Sequence, residues 1–247
     1  MDRLGIIDWG IGGVSIYKSI KEQLGAVPVL YFSDTGVTPY GKMNRRELAD
    51  RLDSVIEFLK SQGAANIVIG CNAASTAIPD LSNHGVPVKG VIEPAIAQVS
   101  RLKPKRLGLI GGRRTVVSGV YRRGLASRGI GLEQRIAQPL SALIESGDIS
   151  SDELKSEAKR ILSPLKNCSH ILLACTHYPA IAGVLSEFVS INTKLVDPAA
   201  EMVKIVAKWK FAEADDQFFT SGDPAAMKIA AKNAFGVSIK SIKRVNL

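Results

Sequence analysis

The strongest constraint on the fold is a pattern that occurs twice in the chain. A short apolar run at residues 67–69 is followed, after one glycine, by Cys71 and a polar residue. Residues 171–174 lead in the same way to Cys175 and a polar residue, 104 positions further on. Short apolar runs that stop abruptly at polar residues are typical of buried strands in a parallel sheet. The pattern therefore predicts two similar strands, each delivering a thiol at its carboxyl end.

A second pair of similar segments, residues 3–8 and 106–111, is displaced by almost the same distance, 103 residues. Two landmarks at nearly one offset predict a duplicated structural unit. Strands alternate with helices along the chain, which favours mainly parallel sheets covered by helices. We therefore expect an α/β protein of two pseudo-symmetric domains, one formed by residues 1–96 with 206–247 and the other by residues 97–205.

Ligands of open α/β sheets bind in the crevice beyond the carboxyl ends of the strands. Facing copies of the unit would place Cys71 and Cys175 on opposite walls of one cleft between the domains. A free thiol has a pKa of about 8.5, which falls at a helix N-terminus or beside a base. His177 follows Cys175 by two residues, and both cysteines precede predicted helices. Each thiol is therefore a candidate acid or base, whereas Cys168 fits a buried apolar position.

The residues alone leave three explanations for two facing thiols. They form a redox pair, or one is a nucleophile with a helper, or they exchange protons on opposite faces of one carbon. The third explanation, stereoinversion, accounts best for a duplicated layout, because a pseudo-symmetric site suits mirror-image substrates. The glycine-rich turn at residues 10–13 lacks the Lys-Ser/Thr of a phosphate-binding loop, so we expect it to bring the backbone close to a small ligand.

Composition limits the class of protein and its partners. The three cysteines do not make a disulfide framework, and no apolar run approaches the roughly 18–20 residues that cross a bilayer. With no secretory signal predicted, the expected location is the cytoplasm. The net charge is +9, and residues 101–135 contain ten Lys or Arg and one acid. This segment is either a solvated face, a field that attracts anionic substrates, or a nucleic-acid contact.

Several motifs occur in an order that resembles one known family, the cofactor-independent aspartate/glutamate racemases. The motifs are Asp8-x-Gly10-x-Gly12-Gly13, Pro39-Tyr40-Gly41, Cys71-Asn72-x-Ala74-Ser75, Gly90-Val91-Ile92-x-Pro94-Ala95, Cys175-Thr176-His177-Tyr178-Pro179 and Ser221-Gly222-Asp223-Pro224. The resemblance runs almost from end to end. It implies interconversion of L- and D-glutamate by two bases, supplying D-glutamate for peptidoglycan.

The resemblance also implies a role for each site residue. Cys71 and Cys175 would be the catalytic bases, each acting on one enantiomer. Asp8 and His177 would tune the thiols, and Glu145 would orient His177. No metal and no cofactor such as pyridoxal phosphate is implied, and the expected assembly is a homodimer. From the residues alone, Asp8 could equally cap a turn, His177 could be structural and Glu145 could be a solvated acid.

The substrate-binding residues that the resemblance implies come from both domains. Asn72 and Thr176 would hold the α-carboxylate, and the backbone N–H groups of Tyr40 and Gly41 would hold the side-chain carboxylate; Tyr40 could instead pack without touching ligand. The full set is Asp8, Trp9, Pro39, Tyr40, Gly41, Asn72, Ala73, Thr115, Thr176 and His177.

Three positions depart from the family pattern, namely Trp9, Ala73 and Gly112. Each replaces a hydroxyl residue that is usual in the family, and a hydrogen bond to a charged group contributes about 1.5–3 kcal/mol. Arg113 and Arg114 follow Gly112 and would offer a cation in compensation. These changes keep two alternatives open, namely racemisation of another amino acid and a catalytically weak member that binds DNA or gyrase. A thiol hydrolase using Cys175 and His177 is a third alternative, which leaves Cys71 without a role.

Overall fold

The computed structural model describes residues 2–247, which form two α/β units, each built on a parallel sheet of its own. The strands, in chain order, are β1 (Arg3–Asp8), β2 (Val29–Ser33), β3 (Ala64–Ile69), β4 (Val88–Gly90), β5 (Leu107–Gly111), β6 (Leu132–Ile136), β7 (His170–Ala174), β8 (Lys194–Val196), β9 (Gln217–Thr220) and β10 (Lys243–Arg244).

The α-helices cover the sheets and connect successive strands. They are α1 (Val14–Leu24), α2 (Arg45–Ser61), α3 (Asn72–Ser75), α4 (Ile92–Leu102), α5 (Arg113–Val117), α6 (Val120–Ala126), α7 (Gln138–Glu145), α8 (Asp152–Leu162), α9 (Ala182–Ser186), α10 (Ala199–Val206) and α11 (Pro224–Phe235). Short 3-10 helices cover Ile78–Asp80, Ser163–Leu165 and Tyr178–Ile181.

The strand orders of the two sheets contain the same repeat. The first sheet has the order β10-β9-β2-β1-β3-β4 and the second has the order β6-β5-β7-β8. Within them, β2-β1-β3-β4 corresponds to β6-β5-β7-β8 position by position, while β9 and β10 extend the first sheet from the end of the chain. The prediction of an α/β fold with two parallel-sheet units is confirmed, and the exact domain bounds stay a prediction.

Local sequence explains where the main elements begin and end. Helix α2 starts at a capping box, in which the Asn44 side chain accepts from the backbone of Glu47 and the Glu47 side chain accepts from the backbone of Asn44. Residues 113–126 form two helices, α5 and α6, rather than one, because Gly119 lies between them with φ of 68°. Glycine adopts this left-handed conformation at little cost.

One apolar cluster crosses the boundary between the units. It joins Ile11 and Val14 of the first unit to Ala137, Leu140 and Ile144 of the second, all completely buried. Fully burying an apolar side chain of this size contributes about 1.5–3 kcal/mol. The cluster therefore fixes the ends of α7 and of the glycine-rich turn, which both border the cleft. Across residues 2–247, none of the helices combines the length and the apolar character that spanning a membrane requires.

Candidate active site

The carboxyl ends of β1, β3 and β7 deliver the side chains that the sequence singled out. Asp8 is the last residue of β1, Cys71 follows β3 by two residues, and Cys175 follows β7 directly. Asp8 is buried, and its Oδ2 accepts a hydrogen bond of 2.8 Å from the Thr176 hydroxyl of the other unit. Burial raises the pKa of the Asp8 carboxyl, while the charge on His177 and the Thr176 bond oppose that rise. The carboxyl ends of β1 and β7 therefore meet directly.

Cys71 lies at the start of α3 and is half-buried. Burial raises the pKa of its thiol well above the ordinary value, and negative charge on Asp8 and Cys175 raises it further. Backbone N–H groups of Ala74 and Trp9 act in the opposite direction, because they stabilise the thiolate. Burial therefore favours the protonated form of Cys71.

Cys175 belongs to a chain of polar groups that ends in a carboxylate. Its Sγ lies 3.5 Å from Nδ1 of His177, and Nε2 of His177 lies 2.6 Å from Oε2 of Glu145. Burial alone would lower the pKa of His177, but negative charge on Cys175 and Glu145, with hydrogen bonds to both, raises it well above the ordinary value. The arrangement of thiol, base and orienting carboxylate is the one that activates a thiol.

Glu145 also contacts the first unit. Its Oε2 accepts a hydrogen bond of 2.9 Å from the backbone N–H of Ile11. A Cβ on Gly10 would overlap the Glu145 carboxylate, and a Cβ on Gly12 would come within 2.6 Å of Nδ1 of His177. The glycine-rich turn is therefore close to side chains of the other unit, where the sequence led us to expect a small ligand. Its glycines make room for the carboxylate and the imidazole.

Asn72 is buried between the two units beside the cysteines. Its Oδ1 accepts a hydrogen bond of 2.6 Å from the hydroxyl of Tyr121, a residue of α6. Its Nδ2 is buried and has no hydrogen-bond partner among the described residues. An unsatisfied buried donor costs about 1–3 kcal/mol. The amide therefore offers a donor to an acceptor that the protein itself does not provide.

The segment with Pro39, Tyr40 and Gly41 borders the cleft, but the Tyr40 side chain points into the protein. Its hydroxyl donates a bond of 2.7 Å to Asp34, which is buried and also accepts from Arg51 at 2.6 Å. Within residues 2–247, the backbone N–H groups of Tyr40 and Gly41 have no protein acceptor. Contact with a ligand in this segment would therefore come from the backbone.

Trp9 and Ala73 are two of the positions that depart from the family pattern. The indole of Trp9 packs against the apolar cluster of the first unit, and its Nε1 donates a bond of 3.3 Å to the carbonyl of Val37. Trp9 thus holds the 33–41 loop in place. Ala73, in α3, packs against the same cluster.

Thr115, Arg113 and Arg114 lie in α5, which packs against α3. Thr115 is buried. The guanidinium of Arg114 donates 2.8 Å to the Thr76 hydroxyl and 2.6 Å to the carbonyl of Met43, both in the first unit. Arg114 is therefore held by protein acceptors across the cleft. Among residues 2–247, no group of three or more His, Cys, Asp and Glu side chains is arranged to hold a metal ion.

Two contributors to the site carried no signal in the sequence. Tyr121 is a buried residue of α6, so its hydroxyl contact with Asn72 follows only from the packing of the two units. Tyr31, in β2, looks like an ordinary core aromatic, yet its hydroxyl donates 2.7 Å to the carbonyl of Gly10 and fixes the glycine-rich turn.

Comparison with known proteins gives a consistent result. The sequence model of the family described as Asp/Glu/Hydantoin racemase matches residues 4–206. The glutamate racemase of Gloeobacter violaceus is 32% identical over an alignment of 244 residues, and the match covers 92% of this chain and 90% of that protein. The glutamate racemase of Thermus thermophilus, solved with β-chloro-D-alanine, has a TM-score of 0.86 at 29% identity, covering 100% of this chain and 97% of its own.

A further solved structure extends the similarity of fold. The glutamate racemase of Francisella tularensis in complex with D-glutamate has a TM-score of 0.88 at 24% identity, with 99% of this chain and 97% of its own covered. The family model matches most of the chain, and a glutamate racemase is 32% identical over 92% of it. The chain therefore belongs to the Asp/Glu/Hydantoin racemase family and is an enzyme of the glutamate racemase type.

Proposed function

We propose that this protein interconverts L- and D-glutamate by moving protons at Cα between Cys71 and Cys175, without a cofactor. The observation that carries the proposal is the hydrogen bond of 2.8 Å from the Thr176 hydroxyl to Asp8, which joins the strand end beside Cys175 to the end of β1, the neighbour of the strand that leads to Cys71. Supply of D-glutamate for peptidoglycan, in the cytoplasm, is the role that follows from this activity. The glutamate racemases among the similar proteins support the choice of substrate.

The protonation states that the site favours suit one direction of the reaction. Cys175 transfers its proton to Nδ1 of His177, 3.5 Å away, where Glu145 stabilises the imidazolium. The Cys175 thiolate then takes the proton from Cα, and the C–H electron pair stays on Cα as a carbanion. Cys71, whose raised pKa keeps it protonated, gives its proton to the opposite face and becomes a thiolate. The configuration at Cα is thereby inverted.

The reverse direction starts from the Cys71 thiolate. The backbone N–H groups of Ala74 and Trp9 lower the pKa of this thiol and stabilise the charge. Cys71 then removes the proton of the other enantiomer, and Cys175 returns one on the opposite face. General acid–base catalysis of this kind contributes about 10²–10⁴-fold per group, so both thiols are needed.

Substrate binding in this proposal uses donors that have no protein acceptor. The buried Nδ2 of Asn72 would donate to the α-carboxylate, and the backbone N–H groups of Tyr40 and Gly41 would donate to the side-chain carboxylate. The Thr176 hydroxyl already donates to Asp8, so Thr176 contributes through its backbone or by rearranging. Trp9 acts indirectly, since it fixes the loop that carries Tyr40 and Gly41.

The test is turnover of each glutamate enantiomer in deuterated water by the purified protein and its cysteine variants. We expect Cys71→Ala and Cys175→Ala each to lose racemisation by at least about 10²-fold, as loss of one acid–base group requires. The remaining thiol can still remove and return a proton on one face, so exchange without inversion should survive for one enantiomer. The surviving enantiomer should differ between the two variants.

Cys168 supplies the matched control, because it is a cysteine buried in the core. Cys168→Ala should racemise glutamate at the rate of the wild type. Full racemisation by either site variant would overturn the two-thiol mechanism. Rapid inversion of another amino acid, with glutamate untouched, would keep the mechanism and overturn the substrate.

A further inference from the structure

Helix α3 positions two residues of the proposed site, and it is too short to be stable by itself. It has four residues, Asn72–Ser75, and Cys71 is its N-cap. Helix nucleation is unfavourable, so one isolated turn gains too few hydrogen bonds to offset the order that it requires. Contacts with the rest of the protein therefore decide where the Cys71 thiol and the Asn72 amide lie.

The second unit holds α3 at both of its ends. At the start of the helix, the hydroxyl of Tyr121 donates to the side chain of Asn72. At the end, Thr76 is the C-cap, and its hydroxyl donates a bond of 2.7 Å to the carbonyl of Ala73. The same hydroxyl oxygen accepts a bond of 2.8 Å from Nε of Arg114, which lies in α5. The short helix is thus held by one residue of α6 and one residue of α5.

Arg114 also holds the loop between β2 and α2. Its Nη1 donates a bond of 2.6 Å to the carbonyl of Met43, in the same loop as Tyr40 and Gly41. The planar guanidinium presents N–H groups in several directions, so one side chain binds two acceptors from different segments. Both acceptors are neutral oxygens, and the bonds therefore specify a geometry rather than pair opposite charges.

The contacts that hold Cys175 are separate from those of Arg114. The Sγ of Cys175 lies beside the imidazole of His177, and that imidazole is bonded to Glu145. Neither contact includes an atom of α3 or of α5. Loss of the Arg114 bonds would therefore displace Cys71 and leave the network around Cys175 in place.

We propose that Arg114 is a positioning residue of the reaction, because it holds α3 so that the Cys71 thiol faces Cα of the substrate. The inference rests on the proposed two-thiol mechanism and adds to it a residue that acts through α3. Misplacement by about 1 Å can slow a reaction about 10²-fold. Loss of the Arg114 bonds slows proton return from Cys71, while proton removal by Cys175 continues.

Racemisation rates alone do not reveal this asymmetry. The two enantiomers of a free amino acid are equally stable, so any variant changes kcat/KM of the forward and reverse reactions by the same factor. Exchange of the Cα hydrogen in deuterated water distinguishes the thiols, because exchange without inversion requires only one of them. When Cys71 is displaced, the carbanion formed by Cys175 is more often protonated again on the face that lost its proton, after the Cys175 thiol has exchanged with solvent.

The test follows deuterium uptake and inversion of each glutamate enantiomer by the purified full-length protein and its Arg114→Met variant. Methionine keeps much of the side-chain volume and removes the donors. We expect the ratio of exchange to inversion to rise by about tenfold to 10²-fold. This rise should occur only for the enantiomer that Cys71→Ala still exchanges, whereas a general loss of stability would lower both reactions for both enantiomers.

Two further variants separate the contact from the charge. Thr76→Val removes the acceptor of Nε and keeps the arginine, so it should produce the same asymmetry to a smaller extent. Its effect and that of Arg114→Met should be less than additive in the double variant, as expected for residues in contact. Arg122→Met is the matched control, since Arg122 is an exposed residue of α6 in the same unit. It should keep the wild-type ratio for both enantiomers.

The outcomes distinguish the role of Arg114 from the mechanism on which it rests. A wild-type ratio of exchange to inversion in both Arg114→Met and Thr76→Val would overturn the positioning role and leave the two-thiol mechanism standing. An equal rise in Arg122→Met would also overturn it, since net charge would then be the cause. Full racemisation by Cys71→Ala would overturn the mechanism itself, and the role of Arg114 with it.

Discussion

Replacing Glu145 by Gln isolates the electrostatic role of this carboxylate. The side chain keeps its shape, and its carbonyl oxygen can still accept from Ile11 and from His177, which lie 2.9 and 2.6 Å from Oε2 of Glu145. Only the negative charge is lost. The substitution therefore tests whether that charge holds His177 in the imidazolium form.

The expected size of the effect follows from the contact. A hydrogen bond to a charged group contributes about 1.5–3 kcal/mol, and about 1.36 kcal/mol corresponds to one pKa unit. Glu145 is 17% exposed, so little of this is screened by solvent. We expect the pKa of His177 to fall in Glu145→Gln, because one of the charges that raises it is gone.

Two measurements check this expectation. Titration of the imidazole resonances by NMR is practical because the chain has three histidines, and a His177→Asn spectrum assigns the signal. The pH profile of kcat/KM should shift to lower pH by the same amount as the His177 signal. Glu157→Gln, which removes a partly exposed acid of α8 paired with Arg160, is the control and should change neither quantity. An unchanged His177 pKa in Glu145→Gln would refute the proposed role of the carboxylate.

Three further predictions concern stability and packing. The pKa of Cys71 is raised in the folded protein, which therefore keeps a proton that the unfolded chain loses above about pH 8.5. Above that pH the free energy of unfolding should fall by about 1.4 kcal/mol per pH unit. Cys71→Ala should reduce this slope in denaturant titrations between about pH 8.5 and 10. Arg51→Met should lower the free energy of unfolding by about 3–5 kcal/mol, since it leaves the buried carboxylate of Asp34 without its cation. Gly10→Ala should reduce racemisation at least tenfold with KM little changed, because the new methyl group displaces Glu145, and a structure or an assay showing both unaffected would contradict this.

Controls for these predictions come from the same residue types elsewhere in the chain. Arg46→Met removes an arginine side chain that is 92% exposed and should alter the free energy of unfolding by less than about 0.5 kcal/mol. Gly183→Ala lies in α9 with open space around the new methyl group, so it should preserve activity and stabilise the helix by about 0.5–1 kcal/mol. If Arg46→Met lowered the free energy of unfolding as much as Arg51→Met, or Gly183→Ala lowered activity as much as Gly10→Ala, the effect would come from the residue type replaced and not from the contact removed.

The sequence predicted the parts of the site that lie at strand ends. Asp8, Cys71 and Cys175 could be placed together because carboxyl ends of parallel strands share one edge of a sheet. The strand β6 was not predicted, because Leu132–Ile136 is a largely exposed edge strand with charged residues and lacks a buried run. An edge strand of this kind is stabilised by pairing with β5, which periodicity does not report.

Contacts between the units were the least predictable part of the site. The bond between Ile11 and Glu145 joins residues 134 positions apart, and the bond between Asn72 and Tyr121 joins residues 49 apart. Neither pair has a local pattern that marks it. The glycine-rich turn is a further example. Its glycines predicted that another group lies close to the backbone, but not that this group is the Glu145 carboxylate or the His177 imidazole.

The order of synthesis bears on how this chain reaches its native state. All four strands of the second sheet lie within residues 107–196, whereas the first sheet also takes β9 and β10 from residues 217–244. Domains fold as units during translation, generally in the order in which they emerge. In this chain the second sheet is therefore complete before the first one. Until β9 has been synthesised, one edge of β2 in the first sheet is unpaired. We therefore expect a truncated chain of residues 1–206 to protect the second half from protease while the first half stays susceptible.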